Sequence, residues 1–267
     1  MKQVSFIGAG NMATAIIKGI LGSAGASEYC IRAYDVLPEK AEGLKGLGVV
    51  PAETLKAAVT GADLLFLSVK PQNFEEVLVN VKPFFSEKTV VVSIAAEITA
   101  EYIKKSLGDN CKVVLVMPNT PLLLGAGASA LAQVPPTADG EFKDVCNIFA
   151  ASGEIAVIPE SQMKEIIAVN GSSPAFIYLF TKGFMEYAKT VGIDEEASLK
   201  LFCQTLKGSA EMMLHSGSSI DELIKMVSSK GGTTIAGLER FEKHNLLGAV
   251  RDACEACTKR AYELSKT

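Results

Sequence analysis

Hydrophobic positions fall into two regimes along the 267 residues. In the first, short apolar runs alternate with stretches of helical spacing. The runs at 4–7, 30–34, 49–50, 64–69, 89–94 and 113–117 read as buried strands, with weaker candidates at 127–131 and 155–158. Helical spacing occupies 38–47, 54–60, 74–81, 99–107 and 140–151 between them. This alternation predicts a parallel sheet covered on both faces. No internal repeat or low-complexity segment interrupts it.

From about position 160 the strand signals stop and helical runs continue to the end. The stretch 163–191 is apolar on most sides and is interrupted by Asn170-Gly171-Ser172-Ser173-Pro174. Pro174 removes a ladder hydrogen bond, so the helix must kink or restart there. Asp194 is a good N-cap for a helix over 195–214. Ser219-x-x-Glu222 is a capping box, Gly231-Gly232-Thr233-Thr234 opens a further helix, and the last covers 246–264. A helix apolar all round must be buried. One copy of so small a helical half can hardly hide all of it, so packing against a second subunit is expected. Burial inside a monomeric bundle is the alternative.

The first run carries chemistry: Val4-Ser5-Phe6-Ile7-Gly8-Ala9-Gly10-Asn11-Met12-Ala13. Gly8 and Gly10 follow the strand at once, Ala13 takes the third small position, and Ala15, Ile16, Ile17 and Ile20 continue at helical spacing. Strand, glycine turn and helix start come in the order a dinucleotide site needs. Gly8 allows a tight turn, Gly10 leaves room for the pyrophosphate, and free N–H groups at the helix start face the anion. In an open parallel sheet ligands bind beyond the carboxyl ends of the strands. The later runs end there in Ser68-Val69-Lys70-Pro71, Ser93-Ile94-Ala95-Ala96 and Met117-Pro118-Asn119-Thr120-Pro121. Each alone suits ordinary turn chemistry; together on one edge they point to a cofactor-lined cleft. Asp35 ends the second strand, 25 residues beyond Gly10 (35 − 10), near the spacing at which an acid bonds the adenine ribose. That favours NAD(H), since a 2′-phosphate would meet like charge, although Arg32 and Lys40 are close in sequence and could offset it. A solvated turn acid is the bland alternative.

A second chemical stretch runs from Met226 through Val227, Ser228, Ser229, Lys230, Gly231, Gly232, Thr233 and Thr234 to Gly237. It delivers N–H groups and hydroxyls at a helix N-terminus, where a small carboxylate could bind; an ordinary capped helix start reads the same way. Ser172 and Ser173 are a second set of donors in apolar surroundings, or a polar patch satisfied by its own backbone. There is no G-x-S-x-G, no evident Ser-His-Asp set, and no His or Lys placed as the acid for a ketone. A cyclic imine that already carries its proton needs no strong protein acid; it needs orientation and a hold on its carboxylate.

Composition narrows the partners. The chain is 48% hydrophobic, with 26 basic and 30 acidic residues for a net charge of −4 and no Trp. That offers neither a basic field nor base-stacking surfaces for nucleic acid. No run reaches the roughly 18 apolar residues that span a bilayer. Met1-Lys2-Gln3 enters a strand directly, so no leader and a reducing cytoplasmic setting are expected. Cys30, Cys111, Cys146, Cys203, Cys254 and Cys257 mostly sit in apolar runs and read as small buried hydrophobes. Cys254 and Cys257 are three apart on a helix, an ordinary face or a redox pair. With only His215 and His244, no metal site is expected.

These pieces together resemble the pyrroline-5-carboxylate reductase family over essentially the whole chain. They are the glycine-turn segment 6–13, Val69-Lys70-Pro71, Val92-Ser93-Ile94-Ala95-Ala96, Met117-Pro118-Asn119-Thr120-Pro121, Gly171-Ser172-Ser173-Pro174-Ala175 and Gly231-Gly232-Thr233-Thr234. The resemblance implies an α/β fold, a Rossmann-type doubly wound sheet over 1–160 followed by an all-helical substrate-binding and dimerisation domain over 161–267. It implies reduction of 1-pyrroline-5-carboxylate to L-proline with NADPH or NADH, by at least a homodimer; rings of dimers occur in the family. The family's cofactor positions carry over to Ile7, Gly8, Ala9, Gly10, Asn11, Met12, Ser68, Val69, Lys70, Pro71, Ile94, Ala95 and Ala96. Asp35 and Asn119 join them from the strand-end reading. The substrate loop carries over to Val227 through Thr234, with Val227, Ser229, Gly231, Gly232 and Thr233 holding the substrate and Thr234 donating near the ring nitrogen. Lys230 stands where the family usually has proline, and Asp35 where members often carry Ser or Thr. The competing expectations are a related hydroxyacid or imino-acid reductase, and a catalytically idle dinucleotide sensor.

Overall fold

The computed structural model describes residues 1–95 and 97–265. Its first part runs β1 (Lys2–Ile7), α1 (Asn11–Gly22), β2 (Tyr29–Tyr34), α2 (Pro38–Glu42), β3 (Val50–Pro51), α3 (Leu55–Val59), β4 (Leu64–Leu67) and α4 (Phe74–Val81). Next come β5 (Val90–Ser93), α5 (Ala100–Leu107), β6 (Lys112–Pro118), β7 (Gly127–Val134), α6 (Asp139–Ala150) and β8 (Gly153–Val157). Among the described residues the strands form one eight-stranded sheet in the order β3-β2-β1-β4-β5-β6-β7-β8. The chain leaves β1 to one side for β2 and β3, then returns to its other side for β4, which makes a topological switch point between β1 and β4.

The sheet is not wholly parallel. β6 and β7 pair antiparallel, with Met117 opposite Ala130 and Pro118 opposite Ser129, while β7 and β8 pair parallel. The link from Pro118 to Gly127 is too short for a helical crossover, which takes about a dozen residues. The helix expected over 38–47 ends at Glu42, because Gly43 and Gly46 disfavour its continuation.

Strand alternation divides the core. In β4, Leu64 and Phe66 face α1 and α6, where they meet Ile16, Ile17, Ile20 and Phe149. Leu65 and Leu67 face α4 and α5 with Phe74, Leu78, Val81 and Ile103. Phe6 stacks on Phe66 at 4.5 Å between ring centroids. Thr54 and Thr99 stand just before α3 and α5 and cap them through their hydroxyls.

After β8, residues Ile167–Gly171 make one π-helical turn, and α7 (Ser173–Thr190) restarts with Pro174 in its first turn, where no N–H is required. The remaining helices are α8 (Glu195–His215), α9 (Ile220–Met226), α10 (Thr233–Lys243) and α11 (Leu246–Leu264). The chain divides into two compact units, one of Met1–Pro174 with the residues from Ala256 onward, the other Ala175–Glu255. Within the second unit Phe184 stacks on Phe202 at 4.4 Å, with Phe180 and Phe241 beside them. Yet Ile177, Tyr178, Leu179 and Tyr187 on α7, and Leu201 and Leu214 on α8, are exposed in the single chain. The cysteines correct the sequence expectation. Only Cys111 is buried; Cys203 is exposed on α8, and the other four are half-buried. An apolar sequence context on these helices does not give burial within one chain.

Candidate active site

The turn between β1 and α1 sits at the switch point. Gly8 has φ +96°, and a Cβ there would lie 2.5 Å from the Ser68 carbonyl oxygen. Only glycine lets the β1 turn and the β4 turn approach so closely. Gly10 begins α1 with no side chain capping it, and a Cβ on Gly10 would meet nothing within 4 Å. The first-turn N–H groups of α1 therefore face open space, which is the arrangement that takes an anion. Beside the turn lies a cleft of about 740 Å³. Of the residues expected to hold the cofactor, Ile7, Gly8, Gly10, Asp35, Ser68, Val69 and Lys70 line it. The Ser68 hydroxyl is buried and has no hydrogen-bond partner among the described residues. A glycine cradle, an uncapped helix and an orphaned hydroxyl around one cleft fit a dinucleotide.

The other expected residues are placed differently. Ala9 is buried beneath the turn, Met12 packs on the core below α1, and Asn11 is exposed at the helix start. Pro71 opens the short turn before α4 and borders a smaller cavity. Ile94 packs against the α1 side of the core. Ala95 lines a separate cavity of about 250 Å³ with Thr99, Met163 and Tyr262. Ala96 lies outside the described residues.

Asp35 is more engaged than the spacing suggested. Its Oδ2 accepts the Ala9 N–H at 2.9 Å and its Oδ1 accepts the Leu37 N–H at 3.0 Å. The side chain is only 9% exposed, with Lys40 Nζ 3.9 Å from Oδ1. The carboxylate thus ties the end of β2 to the glycine turn. Arg32 takes no part; its guanidinium donates to the Ala57 carbonyl. Asn119 is also committed, accepting the Ala128 N–H at 2.9 Å and donating to Asn170 Oδ1 at 3.2 Å.

The cleft has a wall that sequence reasoning missed. Asn73, Glu76, Val77 and Asn80 line it from α4 and the residue before it. Their spacing of three, four and seven is one helix face. The spacing is visible in the sequence, but nothing local ties that helix face to the glycine turn.

The serine- and glycine-rich loop belongs to the second unit. Val227 ends α9, and the Ser228 hydroxyl donates back to the Ile224 carbonyl. The Gly232 N–H donates to the Ser229 carbonyl at 2.9 Å, closing a reverse turn with Lys230 and Gly231 at its centre. Gly231 has φ +73°, and a Cβ on Gly232 would lie 2.6 Å from Ser229 Oγ. Gly232 starts α10 without a side-chain cap, so this helix also opens on free N–H groups, with Thr233 and Thr234 exposed in its first turn. In the first unit, Ser172 and Ser173 are half-buried after the π-turn. The Ser173 hydroxyl donates to the Asn170 carbonyl at 3.4 Å, so this patch is in part satisfied by its own backbone.

Residues 160–264 match the family model described as pyrroline-5-carboxylate reductase dimerisation, and residues 3–97 that described as NADP oxidoreductase, coenzyme F420-dependent. The pyrroline-5-carboxylate reductase of Escherichia coli K12 is 33% identical over 267 residues, covering 100% of this chain and 99% of that protein. The chain belongs to the pyrroline-5-carboxylate reductase family. It is accordingly an oxidoreductase. Solved structures agree with this membership. A pyrroline-5-carboxylate reductase from Coxiella burnetii superposes with a TM-score of 0.89 at 32% identity, covering 99% of this chain and 98% of that one. A crystal structure of Plasmodium falciparum pyrroline carboxylate reductase with NADP bound gives 0.88 at 28% identity, with the same coverage. The dimerisation match takes in the helices whose apolar faces are exposed in the single chain, as packing between subunits requires.

Proposed function

We propose that this protein reduces 1-pyrroline-5-carboxylate to L-proline, the last step of proline biosynthesis, with NADPH or NADH. The observation that carries the reading is full-length similarity to named pyrroline-5-carboxylate reductases in a chain whose switch-point cleft is built for a dinucleotide. The glycine turn from Ile7 to Met12 and the loop from Ser68 to Pro71 hold the cofactor, together with Ile94, Ala95, Ala96 and Asn119. Bound there, the reduced nicotinamide supplies hydride to the imine carbon. The ring nitrogen already carries its proton, so the product amine forms without a protein acid. The chain's task is to orient the ring. The N–H groups of Gly231, Gly232 and Thr233 hold the carboxylate at the start of α10, and the Thr234 hydroxyl donates near the ring nitrogen. Val227 and Ser229 belong to the same substrate loop, and Ser172 and Ser173 are further donors for the substrate. Residues 1–160 serve the cofactor, and 161–267 serve substrate and dimer. The working assembly is at least a homodimer, and the six free thiols suit a cytoplasmic setting.

Steady-state kinetics on the imine with each cofactor tests the reading. Imine-dependent oxidation of NADPH or NADH is expected. Folded protein that turns over with neither overturns the proposal.

A further inference from the structure

The π-turn before α7 is shaped around one buried amide. Asn170 is 9% exposed, and its Nδ2 donates to the Met117 carbonyl at 2.7 Å and to the Ala128 carbonyl at 3.1 Å. Its Oδ1 accepts from Asn119 Nδ2, and Asn119 Oδ1 accepts the Ala128 N–H. Both Asn170 donors and its acceptor are therefore used. The β6–β7 ladder ends at Pro118, which has no N–H to give. Past that point the two asparagine side chains continue the pairing and join both strand ends to the turn.

The backbone records the same constraint. The Ser172 N–H donates to the Ile167 carbonyl at 2.8 Å, an i to i−5 bond. Gly171 lies so close to the strands that a Cβ there would be 3.2 Å from Met117 Sδ. A π-turn holds one residue more than an α-turn. Relaxing it to α geometry would rotate Ser172 and Ser173 about 100° relative to Ile167, one residue's step around a helix.

We infer that Asn170 is a positioning residue, whose amide holds the π-turn register that presents Ser172 and Ser173 to the substrate. The inference rests on the reading of those serines as part of the imine site. It assigns Asn170 no contact with substrate. It makes substrate affinity depend on a side chain that faces the other way, into the strand ends.

The test compares Asn170→Ala with Thr137→Val in the full-length protein. Thr137 makes a buried hydrogen bond to the Val113 carbonyl at 3.0 Å, at the opposite end of β6. Both variants should lower Tm. Asn170→Ala should also raise KM for the imine at least about tenfold, with NADPH and NADH dissociation constants within about twofold of wild type. Thr137→Val should leave KM unmoved. In a double-mutant cycle, Asn119→Ala and Asn170→Ala should be non-additive in kcat/KM. If Asn170→Ala does not fold, Asn170→Ser carries the same expectation with a smaller rise. A fall in Tm with unchanged KM makes Asn170 a purely structural residue and overturns the inference while leaving the imine reading intact. Wild-type protein without imine turnover overturns that reading and the inference with it.

Discussion

Asp35→Ser separates two ways in which an acid at the end of β2 can govern the cofactor. In one, the carboxylate only repels a 2′-phosphate. In the other, it also braces the glycine turn, as its bonds to Ala9 and Leu37 indicate. Serine can keep the local bond to Leu37, two residues on, as an ST-turn. It is too short for the Ala9 N–H. Losing a hydrogen bond to a charged, nearly buried group costs about 1.5–3 kcal/mol. The Lys40 pair adds little, because Lys40 is 47% exposed. If the loosened turn must be reordered when cofactor binds, NADH affinity falls roughly 10- to 100-fold at about 1.4 kcal/mol per decade. For NADPH an opposing gain appears. Removing one charge about 6 Å from a phosphate charge relieves about 0.7–3 kcal/mol, for effective dielectrics between about 80 and 20. The two effects roughly cancel.

Titrating each cofactor against the variant, and measuring kcat/KM for both, reads this out. NADH should fall by the amount above while NADPH stays within about tenfold of wild type. Unchanged NADH binding would refute the brace. An equal loss for both cofactors would refute the charge argument and leave Asp35 as a structural tie alone.

Thr234→Ala should lower kcat/KM for the imine about 5- to 30-fold, one lost hydrogen bond, with cofactor affinity unchanged; weakened cofactor binding would mean that the substrate loop is misassigned. Gly8→Ala combines a positive φ with a Cβ 2.5 Å from the Ser68 carbonyl oxygen, so Tm should drop by the equivalent of about 2–5 kcal/mol and cofactor titration should fail. Lys230→Pro should lower KM for the imine about two- to fivefold, because proline pre-sets the centre of the Ser229–Gly232 turn and is worth about 0.4–1 kcal/mol; a raised KM would show that the Lys230 charge serves the carboxylate. Burial pushes the Glu141 carboxyl up, but Lys112 at 2.5 Å and the Ala138 N–H pull it down further, below its ordinary 4.5. Its stabilising effect is therefore complete above about pH 4.5 and lost as pH falls through the lower folded value. Unfolding free energies from urea titrations of wild type and Glu141→Gln should differ by about 1 kcal/mol at most from pH 6 to 8 and converge in acid.

The strands and the glycine turn were legible in the sequence because each rests on a short-range rule. Continuous apolar runs mark buried parallel strands, and α4 appears at the 74–81 its spacing predicts. Capping residues Asp194 and Ser219 make the hydrogen bonds their chemistry implies. The features that escaped depend on where distant segments meet. The antiparallel turn of β7 comes from connection length rather than from any pattern within the strand. The place of Asp35 at the end of β2 was visible, whereas the Ala9 amide it also reaches was not. Asn170 read as part of a helix break, since nothing local shows an amide that closes the ends of β6 and β7.

The helical half shows where periodicity stops being a guide to burial. An apolar face states that something must cover it, without naming the cover. In the first unit the chain supplies the cover itself: Phe66 finds Phe6, Phe149 and α1. In the second, Tyr178, Leu179 and Tyr187 are 63%, 70% and 65% exposed, and Cys203 lies open. Exposed apolar area of this extent is stable in water only when another surface removes it. The match of these helices to a dimerisation domain names that surface as a second copy. Apart from Cys203, these residues thus meet the expectation that one copy cannot hide the helical half, and they carry the strongest sequence evidence for assembly.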